Sequence, residues 1–163
     1  MSAPALPTAG GATIATGDPL SPAVADLLAR HLQLMRDTSP PESVHALDPA
    51  ALAGKGIRFY VLSDGGAVVG MGALKALTPD HAEIKSMHIA AEARGRGHAR
   101  RMVAHLIDEA RTAGFARLSL ETGVEPAFAP ARALYAAAGF AECPPFADYV
   151  ADPNSVFMTL TLG

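Results

Sequence analysis

The apolar pattern changes period once between Ala82 and Gly114, and that change restricts the fold more than any other feature. Residues 82–90 (Ala-Glu-Ile-Lys-Ser-Met-His-Ile-Ala) read as a strand with Glu83, Lys85, Met87 and Ile89 on one face. Ala99, Met102, Val103, Leu106, Ile107 and Ala110 then recur at helical spacing, and Gly114 stands where a helix C-terminus takes a glycine. Between the two lies Glu-Ala-Arg-Gly-Arg-Gly-His-Ala-Arg-Arg, residues 92–101, with four arginines and two glycines. The first amides of such a helix have no carbonyl before them, and the positive end of its dipole adds to them. Gly95 and Gly97 can take positive φ and leave the backbone bare, and Ala99 is the next smallest choice. Main-chain amides arranged this way suit a phosphate or pyrophosphate. A P-loop would need Gly-Lys-Ser/Thr here, and a dinucleotide fingerprint would need a small residue at Arg100.

The remaining elements alternate around this centre. Ser21-Pro22 reads as a helix start, followed by a stripe of Val24, Leu27, Leu28, Leu32 and Met35. Residues 37–48 break it with two prolines, and Asp48-Pro49 opens a second short helix. Residues 57–62 and 67–77 form a hairpin around Ser63-Asp64-Gly65-Gly66, and Thr78-Pro79-Asp80 turns into the strand described above. Residues 116–122 read as a strand, 130–138 as a helix stopped by Gly139, and 155–162 as a closing strand, with a further short strand within 11–18. The expected fold is α/β (α+β), one domain over residues 12–163 after a loose leader over 1–11.

Thirteen Lys and Arg against sixteen Asp and Glu give a net charge of −3, which argues against nonspecific nucleic-acid binding despite the arginine run. Cys143 is the only cysteine, so no intrachain disulfide forms and a reducing, cytoplasmic setting is expected. Neither a signal peptide nor an apolar run of membrane-spanning length is expected. The six histidines are scattered without metal-binding spacing, so no metal is expected.

Arg94-Gly95-Arg96-Gly97-His98-Ala99 resembles the acyl-CoA loop of the GNAT N-acetyltransferase superfamily, Gln/Arg-x-x-Gly-x-Gly/Ala, and fits every specified position. Leu134-Tyr135-Ala-Ala-Ala-Gly139-Phe140 is similar to that family's Leu-Tyr-x-x-x-Gly-Phe element. The resemblance implies a mixed, mostly antiparallel sheet flanked by helices on both faces, with acetyl-CoA as cofactor. It implies that the strand before the loop bulges and splays, so that Met87, His88 and Ile89 line the pantetheine slot with main-chain groups. Arg94, Gly95, Arg96, Gly97, His98 (through its amide), Ala99 and Arg100 would meet the phosphates, while Arg100 and Arg101 suit either a solvated face or a 3′-phosphate. Tyr135 would face the sulfur, with Glu83 as candidate base and Glu121 as the second. Phe128 stands where many members carry asparagine, a departure from the pattern. The acceptor, a small-molecule or peptide amine, would meet His31, Met35, Ser43, His45 and Tyr149, with Glu42 and Asp148 nearby. A homodimer through a sheet edge or the C-terminal strand fits the same fold. Two other classes stay open, an acyl-CoA-binding module without turnover and a nucleic-acid binder.

Overall fold

The computed structural model describes residues 12–163; the expected leader over 1–11 lies outside them. Strand β1 (Ala12–Thr16) leads to helix α1 (Pro22–Thr38) and the single-turn α2 (Pro49–Leu52). Strands β2 (Ile57–Asp64), β3 (Ala67–Thr78) and β4 (His81–Ile89) follow as an antiparallel meander. Helix α3 (His98–Thr112), β5 (Arg117–Gly123), α4 (Ala129–Ala137), β6 (Ala141–Cys143) and β7 (Ser155–Thr161) complete the chain. The boundaries have local causes. Pro22 occupies the first turn of α1, although the Ser21 side chain makes no cap bond. Asp48 accepts the Ala51 amide at 2.8 Å to cap α2. Gly65 and Gly66, both at positive φ, close the hairpin between β2 and β3.

The strands form one sheet in the order β1-β2-β3-β4-β5-β7-β6. Helix α3 covers one face, where Met102, Val103 and Leu106 pack with Leu62, Leu74, Ile84, Leu118 and Leu120. Gly72 lets α3 come close, since a Cβ there would meet Leu106 and Met102 at 3.1 Å. Helix α1 covers the other face, where Val24, Leu27 and Leu28 join Phe59, Met71 and Ala73. Helices on both faces of a mostly antiparallel sheet are the arrangement that the resemblance implied. No helix among the described residues is long and apolar enough to cross a membrane.

Three expectations need correction. Glu83, Lys85, Met87 and Ile89 do not share one face. Lys85 pairs with Ala73 but His88 pairs with Met71, so β4 carries an extra residue at the bulge, where Ser86 has φ +55°. The bulge turns His88 to the side of Glu83 and Lys85, while Met87 packs toward the α3 core. Second, β6 was not anticipated, because three residues, Ala-Glu-Cys, carry no strand signal. Third, the C-terminal strand β7, named as one route to a homodimer, lies between β5 and β6; among the described residues the sheet edges are β1 and β6.

Strands β4 and β5 are parallel neighbours only at His81–Arg117, Ala82–Leu118 and Glu83–Ser119. Beyond Glu83 they diverge, and the chain's candidate functional groups gather at that opening.

Candidate active site at the strand splay

The turn into α3 is built around Gly95 (φ +82°) and Gly97 (φ +80°), with Gly97 as the N-cap residue. A Cβ at either position would meet no atom within 4 Å, so that side of the turn is open. The amides of His98, Ala99 and Arg100 form the first turn of α3 and have no preceding helical carbonyl. They border a cleft of about 550 Å³ that runs past Met87, His88 and Ile89 of β4 to Phe128 and Tyr135.

The arginines of this segment divide. Arg94 lines the cleft and its Nε reaches the Ile89 carbonyl at 3.4 Å, and Arg100 lines the cleft as well. Arg96 is turned to Asp64 of the β2–β3 hairpin at 3.5 Å and does not line the cleft. Arg101 donates to the Ala12 carbonyl at 2.9 Å, tying β1 to α3, so it serves neither as a solvated face nor at the cleft. The His98 ring is buried, with Nε2 3.3 Å from Asp64 Oδ2, which leaves its backbone amide as the group at the turn.

Tyr135 lies at the inner end of the cleft. Burial pushes its phenol well above the ordinary value, so it stays protonated, and its hydroxyl has no partner among the described side chains. Phe128 fills the adjoining space, packed where Gly123 lacks a side chain.

A second cavity, of about 110 Å³, opens between β4 and β5 and shares His31, Met35, Met87, Phe128 and Tyr135 with the cleft. Glu83, Lys85, Glu121, Ser43 and His45 also line it. The two candidate bases are held differently. Burial raises the Glu121 carboxyl, against the opposing pull of Ser155 and then of His45 and Lys85. Glu83, 2% exposed, accepts from Tyr149 Oη at 2.5 Å and from Lys85 Nζ at 3.4 Å. Lys85 also donates to Tyr149 Oη at 2.9 Å and to the His45 carbonyl at 3.0 Å, so all three of its donors are engaged. The Lys85 ammonium is therefore fully hydrogen-bonded and the Glu83 carboxylate accepts twice through Oε2, which offsets part of the cost of burying the two charges.

Of the acceptor candidates, His31, Met35, Ser43 and His45 line the second cavity. Tyr149 stands behind it, beside Asp148 in a separate surface pocket, and burial followed by the Glu83 carboxylate pushes its phenol upward. Glu42 is exposed and lines neither cavity. Ser43 donates to Asp152 Oδ2 at 2.6 Å, which depresses that carboxyl.

Sequence reasoning missed the Lys85 network and the meeting of His31 with His88, whose Nδ1 atoms are 3.1 Å apart. Burial first, then His88 and Lys85, lowers His31 to about 3. Burial first, then Arg94 and Arg30, lowers His88 to about 4. One signal was available for His31: it falls four residues after Leu27 on the apolar stripe of α1. The site's groups fit an acyl-CoA ester: an open glycine turn with free helix amides at one end and a neutral, unpartnered phenol at the other.

The chain matches the model of the Acetyltransferase (GNAT) family over residues 23–140. It is 49% identical over 139 residues to YsnE of Bacillus subtilis (strain 168), an uncharacterized N-acetyltransferase, covering 85% of this chain and 92% of that one. A crystal structure from Klebsiella pneumoniae subsp. pneumoniae MGH 78578 superposes with a TM-score of 0.76 at 28% identity, covering 93% of this chain and 98% of the other. A GNAT family acetyltransferase from Elizabethkingia anophelis, solved with acetyl-CoA bound, has the same fold at 16% identity, with a TM-score of 0.66 over 92% of this chain and 97% of that one.

Proposed function

The chain belongs to the Acetyltransferase (GNAT) family, and on that premise we propose that it is a cytoplasmic acetyl-CoA-dependent N-acetyltransferase acting on a small-molecule or peptide amine. The observation that carries the reading is the continuity of the site: the Gly95–Gly97 turn, the cleft and Tyr135 lead directly into a second cavity with a carboxylate raised by burial. Acetyl-CoA, as substrate, supplies an acetyl thioester open to attack by an amine.

Each residue then has a task. The amides after Gly97, with Arg94 and Arg100, hold the phosphates; a charge-assisted bond of this kind contributes roughly 1.5–3 kcal/mol. Main-chain groups of Met87, His88 and Ile89 line the pantetheine arm, and an amide near Ile89 polarises the thioester carbonyl. Tyr135 donates a hydrogen bond to the departing thiolate, for which a phenol that remains protonated is suited. Glu121 receives the acceptor's ammonium and takes a proton from it. An ordinary glutamate lies about 6 pK units below an alkylamine, roughly 8 kcal/mol, and burial narrows that gap for Glu121. Glu83 is the second candidate, and its engagement with Lys85 and Tyr149 favours a role in shaping the cavity. Transfer is direct in a ternary complex, in keeping with the position of Cys143 in β6, where it lines neither cavity.

Acetyl-CoA should raise the melting temperature of the wild type, and Gly97→Glu, which sets a carboxylate against the phosphates, should abolish the rise. Thiol release with amino acids, polyamines and arylamines should then be lost in Tyr135→Phe and in Glu121→Gln. No melting shift at millimolar acetyl-CoA refutes the cofactor assignment; a shift without turnover on any amine would identify an acyl-CoA-binding module instead.

A further inference from the structure

His31 and His88 come from elements that have no sequence relation, and the bulge in β4 is what brings them together. An unbroken pleat would alternate residue 88 away from Glu83 and Lys85; the extra residue at Ser86 turns it toward α1. The rings meet edge to face, with centroids 5.1 Å apart and planes at 81°, and Nδ1 faces Nδ1 at 3.1 Å. His31 lines both cavities and His88 lines the cofactor cleft. Neither Nε2 has a hydrogen-bond partner among the described residues, and neither is among the sealed polar atoms.

Two Nδ1 atoms at this distance share one proton. When His31 carries it, His31 Nε2 is a bare lone pair and His88 holds its own proton on Nε2; the opposite tautomers reverse both ends. The surroundings keep the pair neutral. Both rings are buried, and the charges that act on them are Lys85 on β4, Arg30 on α1 and Arg94 in the loop, all positive, while the Glu83 and Glu121 carboxylates line the cavity that His31 borders. Arg30 is itself paired with Asp26 and Glu92.

We propose that His31 and His88 form a proton relay from the acceptor cavity to the cofactor cleft. The proposal rests on the acetyl-transfer reading above. Two protons leave nitrogen between an ammonium and an amide, and Glu121 takes the first. As the C–N bond forms and the C–S bond breaks, the second passes to His31 Nε2. His31 gives its Nδ1 proton to His88 Nδ1, and His88 gives its Nε2 proton to the departing thiolate. Each ring loses one proton as it gains another, so neither has to carry a charge that burial disfavours. The pair resets when His31 Nε2 loses a proton to water and His88 Nε2 gains one.

Asparagine places an amide atom where Nδ1 stands, so His31→Asn and His88→Asn keep a hydrogen bond to the remaining ring but end the relay. With acetyl-CoA and the same amine panel, each variant should keep the acetyl-CoA melting shift and a KM for acetyl-CoA within about twofold of wild type. In each, kcat should fall by about a hundredfold, at the lower end of general acid–base effects. The wild type should show a curved proton inventory in mixed light and heavy water, and the variants a linear one. Variants with kcat within about twofold of wild type would overturn the relay while leaving acetyl transfer intact. Absence of wild-type turnover on every amine would overturn the acetyl-transfer reading and the relay with it. Nitrogen-15 spectra of wild-type protein give an answer independent of turnover and of variant folding: one ring must carry its proton on Nδ1, and two Nε2–H tautomers at neutral pH would refute the shared proton.

Discussion

Burying two imidazoles beside one another has a cost that depends on pH. His31 and His88 have folded values of about 3 and about 4, against 6.5 in the open chain. An unfolded chain therefore takes up protons below pH 6.5 that the folded chain refuses, and stability must fall as pH drops from 6.5 toward 4. The slope is at most about 1.4 kcal/mol per pH unit for each ring, so the two together remove roughly 3 kcal/mol between pH 6.5 and 5. Urea unfolding across that range should show the loss, and His31→Asn should show about half of it. Other residues differ in how openly they declare themselves. Tyr135 was legible because it stands in a short motif beside Gly139. Lys85 was not, because its partners His45 and Tyr149 are 40 and 64 residues away and no local pattern joins them.

At the scale of elements, periodicity located every long strand and helix, since each buries one face. It could not find the bulge, because Ser86 is an ordinary residue in an unusual conformation. One added residue reverses the facing of all that follow it in the strand, and this is why Glu83, Lys85, Met87 and Ile89 were expected on a common face. Ser86 at φ +55° costs roughly 1–2 kcal/mol relative to glycine, and its buried hydroxyl lacks a partner. Ser86→Gly should therefore stabilise the fold by up to about 1 kcal/mol after the entropy cost of glycine, read as a higher urea midpoint at unchanged m-value. A decrease in stability would mean that the hydroxyl itself holds the bulge. The turn into α3 was more legible, because positive φ at Gly95 and Gly97 demands a residue type that the sequence displays.

Across the whole molecule, element order and the α/β class followed from the sequence, and so did the two residues, Gly97 and Tyr135, that mark the opposite ends of the cleft. The residues of the second cavity were grouped only through the resemblance: no local pattern joins His31, Ser43, Glu83 and Glu121, which meet only after α1, β4 and β5 are assembled. The outer place beside β7 was not legible for a related reason: it is taken by β6, which follows α4 and is too short to carry a strand signal. The same assembly leaves a mechanical seam. One side consists of β1 to β4 and the other of β5 to β7, and only three ladder positions of a parallel pair stitch the sheet together between them. Amide hydrogen–deuterium exchange should trace that seam, with amides of residues 84–89 that face β5 exchanging sooner than those bonded to β3. A cosubstrate lying along the gap would act as a removable stitch, slowing those amides when it binds and returning the molecule to a two-leaved, breathing sheet when it leaves.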